Sequence, residues 1–361
     1  MVAQDYSAPD FRTPPLAAAP EARFEPVPAD GVLPEGFFST SNLPTYVHVG
    51  SEWILPTRPR MDCVIVRRGD GLEVIEPRRL RRGEAVAMGL AEDGSEGIYV
   101  HTVGFLGGAH SANEFRFMST EVSRERPVNY EELALRLNEE RARGGFLIWV
   151  AGPALVHSRA RGDFEWFIRE GYVQAVLAGN AVAVHDIEAA IYGTTLGMTN
   201  TGRPTDGGHG LHMRAINQVR AVGSIEAAVR SGLVTSGIMH ALVTHGVPFV
   251  LAGSIRDDGP LPGVVYSSVE AQDAMREHTV RATGAILIAS ALHAIAVGNM
   301  LPAYHTHYGA PTPLMTICVD QTEFVVSKLK DRGTHQAFGV VTNAQDFMHV
   351  LRFYVEKGSH S

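Results

Sequence analysis

The sequence predicts an α/β fold: a doubly wound parallel sheet preceded by a smaller, mainly β domain. Three observations point there. From residue 144 onward, short unbroken apolar runs alternate with helix-length stretches, the pattern of parallel strands buried on both faces and joined by crossover helices. Before that point, short alternating runs are separated by Gly, Pro and Asp. The 361 residues are 45% hydrophobic and 19% charged, ordinary for a globular chain and long enough for two domains.

Taken in order, residues 1–33 are rich in Ala and Pro and read as a flexible N-terminal arm. Residues 34–143 form the small β-rich domain, with strands at 46–49 (YVHV), 62–66 (DCVIV), 72–75 (LEVI) and 97–100 (GIYV). A helix follows Asn129, a good N-cap with Glu131 and Glu132 in the first turn, and stops at Gly144-Gly145. Residues 144–357 form the larger domain. Its strands are expected at 146–151, 173–178, 249–252, 285–289, 316–319 and 338–341. Helices at 164–170, 210–222, 224–231, 236–245, 268–281, 322–331 and 343–356 lie between and after them.

Charge and composition exclude several classes. The net charge is −8 and no broad cationic face is apparent, which argues against nucleic acid as a partner. The basic run Arg78-Arg79-Leu80-Arg81-Arg82 reads as a solvated turn. Cys63 and Cys318 sit in apolar runs and read as buried thiols, a usage that fits the cytoplasm. The N-terminus lacks the features of a secretory signal, and no apolar run approaches the ~20 residues that span a bilayer. The closest histidine spacings, His209/His212, His240/His245 and His305/His307, lack a third ligand at a zinc interval, so no metal is expected.

In an open parallel sheet, ligands bind beyond the C-terminal ends of the strands. Small, amide, hydroxyl and acidic residues collect there: GPALVH at 152–157, GNA at 179–181, GSIRDDG at 253–259, SALH at 290–293, and Asp320. That is the composition of a dinucleotide cleft. No G-x-G-x-x-G follows the first strand, so phosphates would need other strand-to-helix junctions. Asn180 with Ala181 is one candidate; Ser236, Gly237 and Ile238 at a helix start are another. Ser236 can equally be a plain N-cap. His293, and Asn299, Met300 and Leu301 at the end of the following helix, complete the candidate cofactor-binding set. Asp320 either accepts from the ribose hydroxyls of an adenosine, favouring NAD over NADP, or caps the next helix. Arg256, Asp257 and Asp258 are the catalytic candidates: an arginine can grip a carboxylate, and an aspartate can pair with an amine or move its proton. The same residues also suit an exposed turn.

Several long strings, in order, resemble one family. They are GNAVAVHDIE (179–188), TSGIM (235–239), FVLAGSIRDDGPLP (249–262), EAQDAM (270–275), HAIAVGNMLP (293–302) and CVD (318–320). Upstream, Phe38-Ser39-Thr40, Met61-Asp62-Cys63 and FMSTEV (117–122) resemble the conserved region named for the lysine-oxoglutarate reductase/saccharopine dehydrogenase enzyme. Over residues 34–355 the chain is similar to archaeal ornithine cyclodeaminases and to the C-terminal part of cyanobacterial arginine dihydrolase/ornithine cyclodeaminases. The resemblance implies a Rossmann-like, deoxyhypusine-synthase-like NAD domain. It implies conversion of L-ornithine to L-proline and ammonia through transient hydride transfer to bound NAD, in a homo-oligomer. A cyclodeaminase or dehydrogenase acting on another diamino acid or amine, or a non-catalytic NAD-binding protein, are the alternatives. Too little chain precedes residue 34 for an arginine dihydrolase domain, so arginine hydrolysis is not expected. Segments 158–163 and 304–313 depart from the family pattern.

Overall fold

The computed structural model describes residues 6–105, 128–199, 201–257, 259–307, 310–331 and 337–358. The chain divides into two compact units. One comprises 1–121, 298–314 and 329–336; the other comprises 122–297, 315–328 and 337–361.

The first unit is antiparallel β. Strands β1 (Arg23–Pro26), β2 (Thr45–Val49), β3 (Glu52–Ile54), β4 (Val64–Arg68), β5 (Gly71–Ile75), β6 (Ala85–Met88) and β7 (Ile98–Val100) make two sheets, in the orders β1-β6-β4-β5 and β3-β2-β7. Alternation decides which side chains enter the core. Ile65 and Val74 point with Phe38 and Ile98 into one cluster, while Val64, Val66 and Ile75 point with Leu80 and Met88 into another. β1 lies inside the stretch expected to be an arm. Four residues of it, from Arg23 paired with Met88 to Pro26 paired with Ala85, close the edge of a sheet. Nearer the N-terminus, Phe11 stacks on Trp53 at 5.0 Å and Tyr6 Oη bonds Tyr46 Oη at 2.8 Å. The Ala/Pro composition conceals these aromatic anchors.

The second unit begins with α1 (Tyr130–Ala142), whose N-cap Asn129 accepts from Glu132 N at 3.0 Å, as expected. Expected at the end of the small domain, α1 instead packs on the C-terminal helix. Then come β8 (Leu147–Ala151), α2 (Ala154–His157), α3 (Arg161–Arg169), β9 (Ala175–Gly179) and α4 (Asn180–Tyr192). A short hairpin, β10 (Thr194–Thr195) and β11 (Met198–Thr199), leads to α5 (Leu211–Val222), α6 (Ile225–Arg230), α7 (Ile238–Thr244), β12 (Phe249–Ala252), α8 (Ser268–Thr279), β13 (Gly284–Ile288) and α9 (Ala291–Met300). The chain rejoins the first unit in the hairpin β14 (Tyr304–His307) and β15 (Ala310–Pro313). It then completes the second with β16 (Met315–Asp320), α10 (Glu323–Asp331), β17 (Ala337–Val341) and α11 (Ala344–Gly358).

Six strands form one all-parallel sheet, β12-β9-β8-β13-β16-β17. Numbered along the chain this is 3-2-1-4-5-6, the order of doubly wound dinucleotide-binding sheets. Its central strands are apolar throughout: every residue of β8, β9 and β13 is buried. Trp149 is fully enclosed, packed at 5.1 Å on Phe164 and 5.3 Å on Phe167, and its indole N–H donates to Tyr172 O. Both cysteines are buried and free, and burial pushes the Cys318 thiol up to about 12. The Arg78–Arg82 run borders a single 3-10 turn, where Arg79 pairs with Glu76 and Arg81 with Asp30.

Candidate functional site

Strand order reverses between β8 and β13, so the crevice expected of this topology opens at their C-terminal ends. There the two backbones approach closely. Gly152 N donates to Ile288 O at 2.9 Å, and a Cβ on Gly152 would collide with the carbonyl of Ala289. Ala289 has φ 60°, a left-handed conformation that non-glycine residues rarely hold. The chain thus keeps a side-chain-free, strained strand end at the switch point.

Beside it the structure gathers a polar cluster from three strand ends. β9 passes into α4 without a loop, Gly179 serving as N-cap, so Asn180 begins the helix at the sheet edge. The Asn180 side chain is buried and committed at both ends. Its Nδ2 donates to Asp257 Oδ1 at 3.2 Å, and its Oδ1 accepts from Leu261 N at 3.2 Å. Asp257 Oδ2 accepts from Ser254 N at 2.7 Å, closing the loop after β12. From β13, His293 Nδ1 lies 2.8 Å from Ser290 Oγ, and its ring covers Gly179, whose absent Cβ would stand 2.7 Å from Cε1 and 3.1 Å from Nε2. Burial holds the imidazole below its ordinary value, and the Asp257 carboxylate opposes that shift. Asn180, Asp257 and His293 are all among the residues expected here from the sequence. Ser290 and Ser254 belong to the strand-end strings but carry no role in that reading.

The second phosphate candidate is built differently. The N–H groups of Ile238 and Met239, which open α7, donate to the two oxygens of Asp186 at 2.9 and 2.8 Å. Asp186 is fully buried in the middle of α4 and pairs with Arg161 Nε at 2.7 Å. Arg161 also reaches Ser236 Oγ at 3.4 Å. Gly237, at φ 102°, leaves no room for a Cβ beside the Arg161 guanidinium and Asp186. Of the donors expected to meet a phosphate, the Ile238 N–H is thus met by a carboxylate of the chain itself. Arg161 comes from the divergent segment 158–163, and Asp186 lies mid-helix. Nothing in the pattern of residues signals that these two positions meet.

The remaining candidates are dispersed. Arg256 is exposed, with its backbone N donating to Ser254 Oγ. Asp258 lies outside the described residues. Ala181 is half-buried on the first turn of α4. Asp320 ends β16, and its Oδ1 accepts from Thr322 N and Oγ1, both at 3.0 Å, in a turn that precedes α10 at Glu323. Asn299, Met300 and Leu301 fall roughly 9 Å or more along the helix axis from His293, at 1.5 Å per residue. Met300 and Leu301 are buried there, and Asn299 Oδ1 is buried without a hydrogen-bond partner. Among the described residues no three His, Cys, Asp or Glu side chains are grouped to hold a metal ion, and no helix is long and apolar enough to cross a membrane.

The comparisons with known proteins agree with this architecture. Residues 131–351 match the family model "arginine dihydrolase ArgZ-like, C-terminal, Rossmann fold", and residues 44–131 match that of its C-terminal first region. The ornithine cyclodeaminase of Methanopyrus kandleri is 43% identical over 337 residues, 92% of this chain and 77% of that one. The solved LOR/SDH protein of Methanococcus maripaludis superposes with a TM-score of 0.84 at 38% identity, over 94% of this chain and 99% of the other. The Nostoc bifunctional arginine dihydrolase/ornithine cyclodeaminase AgrE is 38% identical over 93% of this chain but only 47% of its own length. AgrE has been solved in a ternary complex with ornithine and NAD+, which this chain matches with a TM-score of 0.58 at 36% identity, over 95% of this chain and 47% of that one. Doubly wound sheet, β-rich first unit and sequence agree: the chain belongs to the ArgZ-like C-terminal family, to which ornithine cyclodeaminases of archaea and cyanobacteria are similar along nearly its whole length.

Proposed function

We propose that this protein is an NAD-dependent ornithine cyclodeaminase that converts L-ornithine to L-proline and ammonia. The observation that carries the reading is the polar cluster of Asn180, Asp257 and His293 at the switch point of a 3-2-1-4-5-6 sheet, in a chain whose relative AgrE has been solved with both ornithine and NAD+. The residues suit a dinucleotide. Gly152 lets the ends of β8 and β13 approach at the switch point, and the strand ends offer hydroxyls and amides rather than a cationic patch. The start of α4 at Asn180 and Ala181, with His293 and Asp320, would hold the cofactor. Asp320, if it meets the adenosine ribose through the oxygen not used by Thr322, selects NAD. The Asp186 carboxylate occupies the Ile238 N–H, and Ser236 and Gly237 remain the candidates at that helix start.

When bound, NAD+ supplies a reversible acceptor for the α-hydride. The chain's own residues supply the rest. Arg256, exposed on the loop after β12, is placed to meet the substrate carboxylate. Asp257, fixed by Ser254 and Asn180, presents negative charge toward the substrate ammonium groups. Asp258 beside it completes the acidic loop expected from the sequence. The expectation of a cytoplasmic homo-oligomer belongs to the same proposal.

Incubating the purified chain with L-ornithine and NAD+ tests it. The expected result is proline and ammonia in equal amounts with no build-up of NADH. Accumulating NADH would replace the cyclodeaminase by a dehydrogenase. Absence of product across a panel of diamino acids would leave a binding protein.

A further inference from the structure

We propose that His293 is the proton-transfer group of the strand-end cluster, accepting through Nε2 while Nδ1–H donates to Ser290 Oγ. The inference rests on the cofactor and substrate reading above and gives it a base. Among the described residues the cluster leaves few other groups for the task. Both oxygens of Asp257 already accept hydrogen bonds, from Ser254 N and Asn180 Nδ2, which suits it to orient and to balance charge. The Asn180 amide does not titrate, and the guanidinium of Arg256 stays protonated.

His293 differs from them in three respects. It stands three residues beyond Ser290, so the hydroxyl that follows β13 reaches Nδ1 at 2.8 Å. If that hydroxyl accepts, the neutral ring is the Nδ1–H tautomer and the Nε2 lone pair is open. Gly179 supplies the surface on which the ring lies, and any larger residue there would displace it. Asp257, on the loop after β12, is the charged group that the ring senses among the described residues. The other described neighbours, Gly179, Asn180 and Ser290, are uncharged. Burial favours the neutral imidazole, and Asp257 would stabilise the imidazolium once a proton arrives.

The proton balance is closed. Nε2 takes one proton from the α-ammonium of the diamino acid, giving imidazolium and a neutral amine. The amine lone pair forms the C=N bond as the α-hydride leaves for NAD+. Solvent takes a proton from the δ-ammonium, and the freed δ-amine adds to the C=N carbon and gives up a second proton to solvent. The imidazolium returns its proton to the α-nitrogen, which leaves as ammonia as its C–N bond breaks and the ring C=N forms. The hydride then returns to that carbon, the ring nitrogen and the ammonia take up the two solvent protons, and the imidazole is unchanged over a turnover. Ser290 acts here as a positioning residue.

The experiment uses the full chain with 15N-labelled histidine. NMR of the neutral His293 ring should show the Nδ1–H tautomer; an Nε2–H ring would overturn the proposal. Asp257→Asn should lower the ring's titration midpoint and move the acid limb of kcat/KM with it. Ser290→Ala should mix the tautomers and lower kcat more than it raises KM. His293→Gln should lower kcat by about 10²- to 10⁴-fold, the range of general acid–base catalysis. A glutamine variant retaining a third or more of the activity would overturn the proposal. Failure of the unaltered chain to bind NAD+ would sink the function reading instead, and the tautomer measurement distinguishes the two.

Discussion

Two places in the second unit carry the sequence traits of an anion-binding helix start, and they are put to opposite uses. At α4, the helix springs directly from a strand end, and its first side chain is tied to the acidic loop after β12. At α7, a buried aspartate already occupies the N-terminal donors and an arginine neutralises it. The first turns polar groups toward a crevice; the second turns them inward. The difference lies in whether the chain itself provides the counter-charge, something that local composition does not encode.

Breaking the inward arrangement should be the largest effect. Asp186→Ala would leave two backbone donors unpaired in the interior and Arg161 with Glu165 as its remaining carboxylate partner. A loss of roughly 3–5 kcal/mol of stability is expected, read as a fall in the urea midpoint. A loss below about 1 kcal/mol would show that α7 does not depend on the clamp. Asp257→Asn should give the reverse split. Activity falls by roughly 10²-fold or more while the urea midpoint falls by less than for Asp186→Ala, because the amide loses one of the two accepted hydrogen bonds on a partly exposed loop. Equal losses of stability and activity would erase the contrast between the two sites.

Gly179→Ala lies between these extremes. The new Cβ would stand 2.7 Å from the His293 ring, so ring and helix must separate. A destabilisation of about 1–3 kcal/mol with a clear drop in kcat is expected, and an unchanged kcat would show that the ring's position is not used. A smaller effect comes from pH. Burial lowers His157, His278 and His293 from the ordinary histidine value of 6.5. The unfolded chain therefore takes up protons first as pH falls below 6.5, and stability should decline between pH 7 and 5 in urea titrations. The hydrogen-bonded carboxylate of Glu188, held below 4.5, adds its own loss only at lower pH. A flat profile from pH 7 to 5 would mean that these rings do not stay neutral in the fold.

The sheet is legible because burial on both faces leaves a plain trace. All six parallel strands read as apolar runs, such as LIWVA at 147–151 and GAILI at 284–288. Their order does not, since the exchange from 3-2-1 to 4-5-6 depends on which edges pair. Strands β1, β3 and β6 escape a sequence reading because short strands have too few residues to show alternation. In the site, Asn180, Asp257 and His293 stand at or just beyond the ends of buried strands, where a parallel sheet binds its ligands, and that position makes them readable. Arg161 and Asp186 are not, because their partnership joins positions 25 residues apart through a buried ion pair with no sequence period. In the Asn299–Leu301 segment, recognisable by family resemblance, Met300 and Leu301 are buried and Asn299 Oδ1 is buried without a hydrogen-bond partner.

The buried Asp186 has a further consequence. A helix whose first turn must wait for a phosphate is ordered only on binding, and that ordering subtracts from affinity. Here the turn at Ile238 and Met239 is completed when the chain folds. α7 is therefore a preorganised wall, and the heat-capacity and entropy changes on ligand association should carry no contribution from its folding.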